Sequence, residues 1–176
     1  MTVTQAYKIR SFKPADLSRV VRINQVCLPE NYPESFFLLI YSSFPEGFLV
    51  AESSDIDGYT MNRIEMGSPS LQSTRWPLKR IKKGHVISIA VMPYARRQKV
   101  GVKLMLASLK EMSEQGAEEC FLEVRESNES AIEMYYNLGF SKKKLLKKYY
   151  SDSESAYLMA IPLPIPDFFI EDEDLF

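Results

Sequence analysis

The stretch from Gly84 to Val102, GHVISIAVMPYARRQKVGV, constrains the fold more than any other part of the chain. Its first half is a run of apolar and β-branched residues, which is typical of a strand covered on both faces. Pro93 ends this strand because proline has no N–H group to donate to a sheet. From Val100 onward the apolar residues recur at helical spacing. The stretch therefore predicts a strand, a turn and a helix.

The turn between that strand and that helix is basic. It carries Arg96, Arg97 and Lys99, and Gly101 follows. The first N–H groups of a helix lack partners within the helix, and the positive end of the helix dipole lies there, so such a turn can bind phosphate. The alternative is a basic turn that only faces water. The turn by itself does not decide between these interpretations.

Length and composition favour one cytoplasmic domain, either an enzyme or a binding module. The chain has 176 residues, of which 45% are hydrophobic and 26% charged, enough for one well-packed core. Its 22 basic and 23 acidic residues indicate neither DNA nor a membrane surface as a partner. No apolar run approaches the roughly 20 residues of a membrane span, and the start has no signal-peptide core. Cys27 and Cys120 are too isolated to predict a disulfide framework or a zinc site.

Apolar periodicity and turn residues predict the element order β-α-α-β-β-β-α-β-α-β-β. This order predicts an α/β fold with a single mixed sheet and helices on both faces. Strand–helix–strand units are expected around 85–124 and again around 119–148. A long polar loop is expected at 66–83, and the domain is expected to span 1–163, followed by an acidic tail at 164–176. The elements are predicted at 7–12, 14–26, 34–42, 48–52, 59–65, 84–91, 100–112, 118–124, 129–138, 141–148 and 155–161.

Motifs in this frame resemble those of a known family. The turn RRQKVG is similar to the acetyl-CoA loop R/Q-x-x-G-x-G/A of GNAT acetyltransferases, and the signature N-x-x-A-x-x-x-Y-x-x-x-G-F is matched from Asn128 to Phe140. The segments LPENY, GHVISIAV and KYYSDSESAY resemble, more narrowly, the archaeal form of the NatA-type catalytic subunits, which acetylate protein N-termini. The resemblance covers residues 7–163. It implies the GNAT fold, a mostly antiparallel sheet with a splayed central strand pair.

The resemblance also implies acetyl-CoA as the co-substrate. A backbone N–H within Ile89–Val91 would stabilise negative charge on the acetyl oxygen. Lys99 departs from the family pattern, because it stands where the first loop glycine is usual. A lysine there must either adopt a strained positive φ or lie in ordinary right-handed helix. The implied cofactor-binding residues are Ile89, Ala90, Val91, Arg96, Arg97, Gln98, Lys99, Val100, Gly101, Val102, Asn128 and Tyr135.

Three residues are predicted to carry the chemistry. An α-amine has a pKa of about 7.7–8.0, so a carboxylate or an imidazole can deprotonate it through a water near neutral pH. The resemblance assigns this role to Glu30 and favours a water-mediated role for His85 beside it; Glu123, on the neighbouring strand, is a candidate to orient the imidazole. Tyr135 would return a proton to the departing thiolate. The alternatives are a carboxylate at a helix start, a structural strand histidine and a buried aromatic residue; His85 and Glu123 are too few ligands to predict a metal.

The peptide entrance is expected to be aromatic. The resemblance places Leu28, Glu30, Tyr32, Tyr149 and Tyr150 there, and the alternative for the tyrosines is packing under a loop. A carboxylate at the entrance leaves little apolar room, so small first residues (Ser, Ala, Thr or Gly) are expected to be preferred. The basic residues at 142–144 and 147–148, with Lys79, Arg80, Lys82 and Lys83, are expected to form a solvated face, and a weak ribosome contact is a second interpretation.

The sequence thus predicts an acetyl-CoA-dependent N-terminal acetyltransferase. Direct transfer in a ternary complex is expected because no cysteine falls in a matched catalytic position. The alternatives are a GNAT enzyme that acts on a lysine side chain or a small amine, and a non-catalytic acyl-CoA-binding module. The expected partners are the N-termini of proteins or nascent peptides, and the expected state is a monomer or a homodimer.

Overall fold

A computed structural model describes residues 6–71 and 80–166, and the element order within them is the predicted one. The expected acidic tail from 167 onward and part of the expected loop, 72–79, lie outside the described residues. The helices are α1 (Leu17–Cys27), α2 (Glu34–Ser43), α3 (Val100–Glu114) and α4 (Glu129–Asn137). The strands are β1 (Lys8–Ser11), β2 (Leu49–Glu52), β3 (Ile56–Gly67), β4 (Ile81–Val91), β5 (Glu119–Arg125), β6 (Ser141–Leu146) and β7 (Ala156–Pro162).

The strands form one mixed sheet in the order β1-β2-β3-β4-β5-β7-β6. Only β4 and β5 run parallel among the described neighbours, so the predicted mixed and mostly antiparallel sheet is confirmed. The crossover β4–α3–β5 joins adjacent strands, as expected. The second crossover, β5–α4–β6, ends at the edge of the sheet, because β7 is inserted between β5 and β6.

The predicted splay lies between β4 and β5. They pair only where Lys83–Val86 faces Glu119–Leu122, and they diverge beyond that. Ile87 is a bulge in β4, since the register with β3 passes from Ser88 directly to Val86. A bulge reverses the side-chain alternation of the strand that follows it. The outer half of β4 therefore has a free backbone edge toward β5, within the part of the chain that the structure describes.

Helices cover both faces of the sheet, as predicted. On one face α3 buries Leu104, Met105 and Leu109 completely against the sheet, and α4 packs into the same cluster. On the other face α1 and α2 bury Ile23 and Phe37 against β3. The sheet thus holds α1 and α2 on the opposite side from α3, and the splayed ends of β4 and β5 lie between these layers.

The hairpin of β3 and β4 is longer than the sequence predicted. The expected loop at 66–83 includes strand at both of its ends, because β3 continues to Gly67 and β4 begins at Ile81. Lys83 is also not part of a solvated face. It is buried, and its ammonium lies 2.9 Å from the carboxylate of Glu119, which in turn accepts the Ser70 backbone N–H. Because the charge of Lys83 is paired inside the protein, this polar residue can lie in β4, where composition alone indicated a loop.

Candidate active site

The turn between β4 and α3 has the geometry of an anion-binding loop. Arg97 and Lys99 both adopt left-handed backbone conformations, with φ of 63° and 60°. Lys99 is the N-cap of α3 and makes no capping hydrogen bond through its side chain. The first N–H groups of α3 therefore face the turn without a side-chain cap. Of the two conformations open to Lys99, the structure shows the strained positive φ.

Asp57 of β3 braces this turn from behind. Its buried carboxylate accepts hydrogen bonds from the Tyr94 hydroxyl (2.6 Å) and the Arg19 guanidinium (3.1 Å). Its backbone carbonyl accepts the N–H of Met92 at 2.8 Å. The Gln98 amide donates to the Tyr94 carbonyl at 3.2 Å. These contacts hold the turn to the sheet at the point where the chain leaves β4.

A cleft of about 840 Å3 opens between the outer half of β4, this turn and α4. Every predicted cofactor-binding residue except Gln98 lines it. Gln98 differs from the prediction because its amide turns back onto the Tyr94 carbonyl. The fit to a CoA thioester is good: cationic side chains and uncapped helical N–H groups suit the pyrophosphate, and the free edge of β4 suits the acetyl carbonyl. The predicted residues in the lining are Ile89, Ala90, Val91, Arg96, Arg97, Lys99, Val100, Gly101, Val102, Asn128 and Tyr135.

A smaller cavity of about 210 Å3 lies next to this cleft. All five predicted substrate residues line it, and Glu123 and Arg125 of β5 line it with them. The two cavities share a wall at the splay of the sheet. A molecule in the cleft and a molecule in the smaller cavity would therefore meet at this wall. The residues common to both linings are Cys27, Leu28, Ile89, Asn128 and Tyr135.

Tyr135 of α4 stands at that shared wall. Its side chain is buried, and its ring packs against Phe140 at 5.6 Å between centroids. Burial raises the pKa of the phenol well above its ordinary value, so the hydroxyl is protonated near neutral pH and is a weaker acid than an exposed phenol. The placement suits a proton donor, and the same side chain also belongs to the apolar core around α4.

Glu30 lies in the smaller cavity and forms a short hydrogen-bonded ion pair with Arg125 of β5. The guanidinium of Arg125 also binds Asp152 (2.8 Å) and Glu154 (2.5 Å), and it stacks over the ring of Tyr150 at 4.0 Å. Arg125 thus joins the segment that carries Glu30 to the loop between β6 and β7. The sequence prediction missed this residue. Its position three residues before Asn128, next to that motif, and the acidic pair in YYSDSES were the available signals.

His85 lies behind Glu123 and not in the wall of either cavity. It lines neither cavity, and it reaches the smaller one only through Glu123, whose carboxylate lies 2.7 Å from Nε2. The imidazole stacks on Phe121 at 4.2 Å, and Nδ1 lies 3.7 Å from Glu65 without a hydrogen-bond partner among the described residues. The predicted orienting contact from Glu123 is present. The contact between His85 and the cavity is indirect, because the imidazole lies in the ladder between β3 and β5.

The predicted entrance tyrosines gather around the same cavity. Tyr149 and Tyr150 contact each other edge to face at 5.1 Å, and Tyr32 stacks on Phe36 at 4.7 Å. Partial burial raises the pKa of all three phenols above the ordinary value, so each remains a hydrogen-bond donor near neutral pH. Tyr149 is nevertheless 48% exposed, which leaves its ring available to a ligand at the mouth.

A family model described as the acetyltransferase (GNAT) family matches residues 17–140, more than half of the chain. The chain belongs to the GNAT acetyltransferase family. An N-alpha-acetyltransferase of Sulfurisphaera tokodaii is 45% identical over 159 residues, which cover 89% of this chain and 93% of the relative. The crystal structure of Ard1 from Thermoplasma volcanium superimposes with a TM-score of 0.76 at 32% identity and covers 90% of this acetyltransferase and 99% of its own chain.

A further similar structure shows a related enzyme with a ligand. Naa20 of Chaetomium thermophilum, solved with a bisubstrate analogue, matches with a TM-score of 0.75 at 28% identity over 96% of this acetyltransferase and 92% of that chain. The predicted GNAT fold is confirmed. The predicted enzyme class, an N-alpha-acetyltransferase, and the predicted co-substrate, acetyl-CoA, are confirmed with it.

Cys27 of the acetyltransferase occupies an unexpected place. The sequence indicated no cysteine at the reacting centre, yet Cys27 lines both cavities at their shared wall. Its thiol donates to the Val91 carbonyl at 3.5 Å and contacts the Met92 sulfur at 3.9 Å. Cys120 is fully buried, and burial raises the pKa of its thiol. Of the two free cysteines, only Cys27 lines either of these two cavities.

No group of three or more His, Cys, Asp or Glu side chains in 6–71 and 80–166 is arranged to hold a metal ion. No helix in the same ranges is both long enough and apolar enough to cross a membrane.

Proposed function

We propose that this acetyltransferase modifies the N-terminal α-amine of polypeptides and prefers small first residues. The observation that carries the proposal is the wall shared by the two cavities, with Glu30 and the entrance tyrosines on its substrate side. A substrate cavity of about 210 Å3, lined by the carboxylates of Glu30 and Glu123 and by Arg125 in an ion pair with Glu30, offers negative charge to an ammonium group and room for a short side chain. An extended Met side chain would desolvate that ion pair, at a cost of about 1 kcal/mol or more.

The residues at the wall have complementary roles in this proposal. When bound, acetyl-CoA supplies an activated acetyl thioester. A backbone N–H of the free β4 edge at Ile89–Val91 donates to the acetyl oxygen as negative charge develops on it. Glu30, or the Glu123–His85 pair acting through a water, takes the proton of the α-amine. Tyr135, which remains protonated near neutral pH, donates a proton to the departing thiolate.

The proposal includes direct transfer within a ternary complex, and Cys27 supplies its sharpest test. A covalent route would form a thioester on Cys27, because this thiol is the one at the shared wall. Its hydrogen bond to the Val91 carbonyl instead gives it a packing role. Direct transfer requires that Cys27→Ala retain most of the kcat and that initial-rate patterns be sequential. Ping-pong kinetics together with an inactive Cys27→Ala variant would contradict it.

The experiment that tests the function is an acetylation assay with peptides that differ only at residue one. Each peptide is supplied free and with a blocked α-amine, and the products are located by mass spectrometry. We expect modification of the α-amine, fastest for Ser, Ala, Thr and Gly. Acetylation of a lysine side chain in the blocked peptides would favour a lysine-directed enzyme. Binding of acetyl-CoA with no transfer to any peptide or small amine would favour a non-catalytic acyl-CoA module.

We place this activity on nascent or newly made chains in the cytoplasm, carried out by a monomer or homodimer whose catalytic domain spans 1–163. An exposed row of lysines on β6 and the turn after it supports a weak contact with ribosomal RNA, since clustered cations attract phosphate. Lysines also protect edge strands from unwanted pairing, and β6 is an edge strand. Co-sedimentation with ribosomes at low and at high salt tests the contact. The row consists of Lys142, Lys143, Lys144, Lys147 and Lys148.

A further inference from the structure

Asn24 of α1 holds the segment that carries the predicted substrate residues Leu28, Glu30 and Tyr32. Its side chain is fully buried. Its Oδ1 accepts the backbone N–H of Tyr32 at 3.3 Å, and its Nδ2 donates to the backbone carbonyl of Glu30 at 3.1 Å. Its own backbone carbonyl accepts the N–H of Leu28 at 2.9 Å. One residue thus makes hydrogen bonds to all three.

A second hydrogen bond from the Asn24 amide connects this residue to side chains of the sheet. Nδ2 donates to the Tyr59 hydroxyl at 3.0 Å, and that hydroxyl lies 2.7 Å from Oγ of Ser88. The Tyr59 hydroxyl thus links Asn24 to Ser88, and either hydroxyl can be the donor in the second hydrogen bond. Tyr59 is fully buried, and Ser88, which is also buried, lines the smaller cavity. Ser88 follows the bulge at Ile87 and directly precedes the free edge of β4.

The segment from Leu28 to Pro33 lies outside the helices and strands and contains two prolines, so regular structure does not fix its position. It is held instead from two sides. Arg125 binds the carboxylate of Glu30 from the cavity, while Asn24 binds the backbone of the same residue from the core. A backbone held on one side and a carboxylate held on the other leave Glu30 little freedom to rotate.

We propose that Asn24, anchored through Tyr59 to Ser88, is a positioning residue. It fixes the position of residues 28–33, the peptide segment, relative to the free edge of β4. It does not touch the substrate and acts through Leu28, Glu30 and Tyr32. The inference rests on the proposed function, because the segment it holds lines the proposed peptide cavity. Loss of Asn24 should therefore weaken peptide binding and blur the choice of first residue, and it should leave the acetyl-CoA cleft intact.

The chain offers a matched control in Asn62 of β3. Asn62 is also fully buried, and its amide donates to the Gly47 carbonyl (2.6 Å) and to Ser108 Oγ (3.0 Å). Its Oδ1 accepts from Thr60 at 3.3 Å, so it too has three side-chain hydrogen bonds. Asn62 lines neither cavity. Asn24→Ala and Asn62→Ala therefore remove the same chemistry from two buried sites, only one of which holds the peptide segment.

The experiment compares these two variants with the wild type, using a peptide that starts with Ser and one that starts with Met. For Asn24→Ala we expect the KM for the Ser peptide to rise about tenfold and the preference for Ser over Met to shrink, with the Kd of acetyl-CoA within about twofold of wild type. Asn62→Ala should lower thermal stability and leave both the KM for the Ser peptide and the preference for Ser over Met unchanged. Equal KM values in the two variants would overturn the inference.

A second variant keeps the test decisive if Asn24→Ala does not fold. Tyr59→Phe removes only the hydroxyl that anchors Asn24, and we expect the KM for the Ser peptide to rise about threefold, with the Kd of acetyl-CoA unchanged. An unchanged KM in Tyr59→Phe would refute the anchor. Failure of the proposed function is distinct, because the wild type would then acetylate no peptide α-amine. An active wild type with unmoved KM values in these variants would refute only the role of Asn24.

Discussion

The left-handed backbone of Lys99 predicts which of two variants, Lys99→Gly or Lys99→Ala, is more stable, because the order depends on the φ angle of this residue. Lys99 has φ of 60° at the start of α3, where a Cβ atom is unfavourable by about 1–2 kcal/mol. Glycine removes this strain but adds about 0.4–1 kcal/mol of unfolded-state entropy. Lys99→Gly should therefore be more stable than Lys99→Ala by about 1 kcal/mol. Both variants lose the same ammonium group and its interactions, so their difference isolates the backbone.

The assay is thermal and urea unfolding of the two variants in parallel. For a chain of 176 residues a difference of 1 kcal/mol corresponds to roughly 2–4 °C in Tm, with the glycine variant higher. If position 99 were ordinary right-handed helix, the order would reverse, because glycine there is about 1 kcal/mol worse than alanine. A glycine variant that melts below the alanine variant would therefore refute the positive φ.

The same two variants separate the contribution of the Lys99 charge to acetyl-CoA binding from the contribution of its backbone conformation. If the Lys99 ammonium contacts phosphate, both variants should bind acetyl-CoA more weakly than wild type, by about 0.5–3 kcal/mol. A further difference between the two variants would then report how far the left-handed backbone shapes the loop. Calorimetry with acetyl-CoA measures both effects, and equal affinity in all three proteins would show that the side chain does not contribute.

Three further predictions concern the site and its support. Tyr135→Phe should lower kcat about 100-fold in steady-state assays and leave the Kd of acetyl-CoA nearly unchanged; a variant that fails to fold would favour the core-packing role. Glu30→Val should gain activity on peptides that start with Met-Leu and lose it on those that start with Ser if Glu30 acts mainly in selection, whereas a loss on every peptide, partly recovered at higher pH, would assign it the role of base. Glu30→Gln, which keeps the size, is the control. Burial alone would raise the pKa of Glu119, but hydrogen bonds from Lys83 and Ser70 outweigh it and lower that pKa. The stability that this group provides is present above its unfolded pKa of about 4.3 and is lost as pH falls through the lower folded value. Urea unfolding from pH 7 to pH 3 should show that loss, and Lys83→Met should cost about 3–5 kcal/mol at pH 7; an equally stable Lys83→Met variant would contradict the pairing.

The sequence by itself determined the order of the elements and the place of the acetyl-CoA cleft. Strand and helix periodicity are local properties, and the residues from Ile89 to Val102 are contiguous along the chain. Eleven of the twelve predicted cofactor residues line the cleft; nine belong to this stretch, and Asn128 and Tyr135 come from the second motif, at α4. Gln98 is the exception, because its orientation depends on a hydrogen bond to Tyr94 that motif spacing does not encode.

The substrate side depended much more on tertiary structure. Glu30 and Arg125 are 95 residues apart, and they meet only because the sheet places β5 beside the segment that follows α1. Asp152 and Glu154 reach the same guanidinium because β7 is inserted between β5 and β6. No local pattern encodes such an insertion, so the sequence does not show that Arg125 pairs with these acidic residues.

Three further points were decided only by the folded chain. The conformation of Lys99 depends on how the turn is held to Asp57 and on where α3 begins, so the sequence left two possibilities open. The separation of His85 from the cavity follows from its place in the ladder between β3 and β5 and from the carboxylate of Glu123 that intervenes. Asn24 looked like an ordinary polar residue of an amphipathic helix. Its role emerges only when burial removes water and forces every polar atom of its side chain to find a partner within the protein.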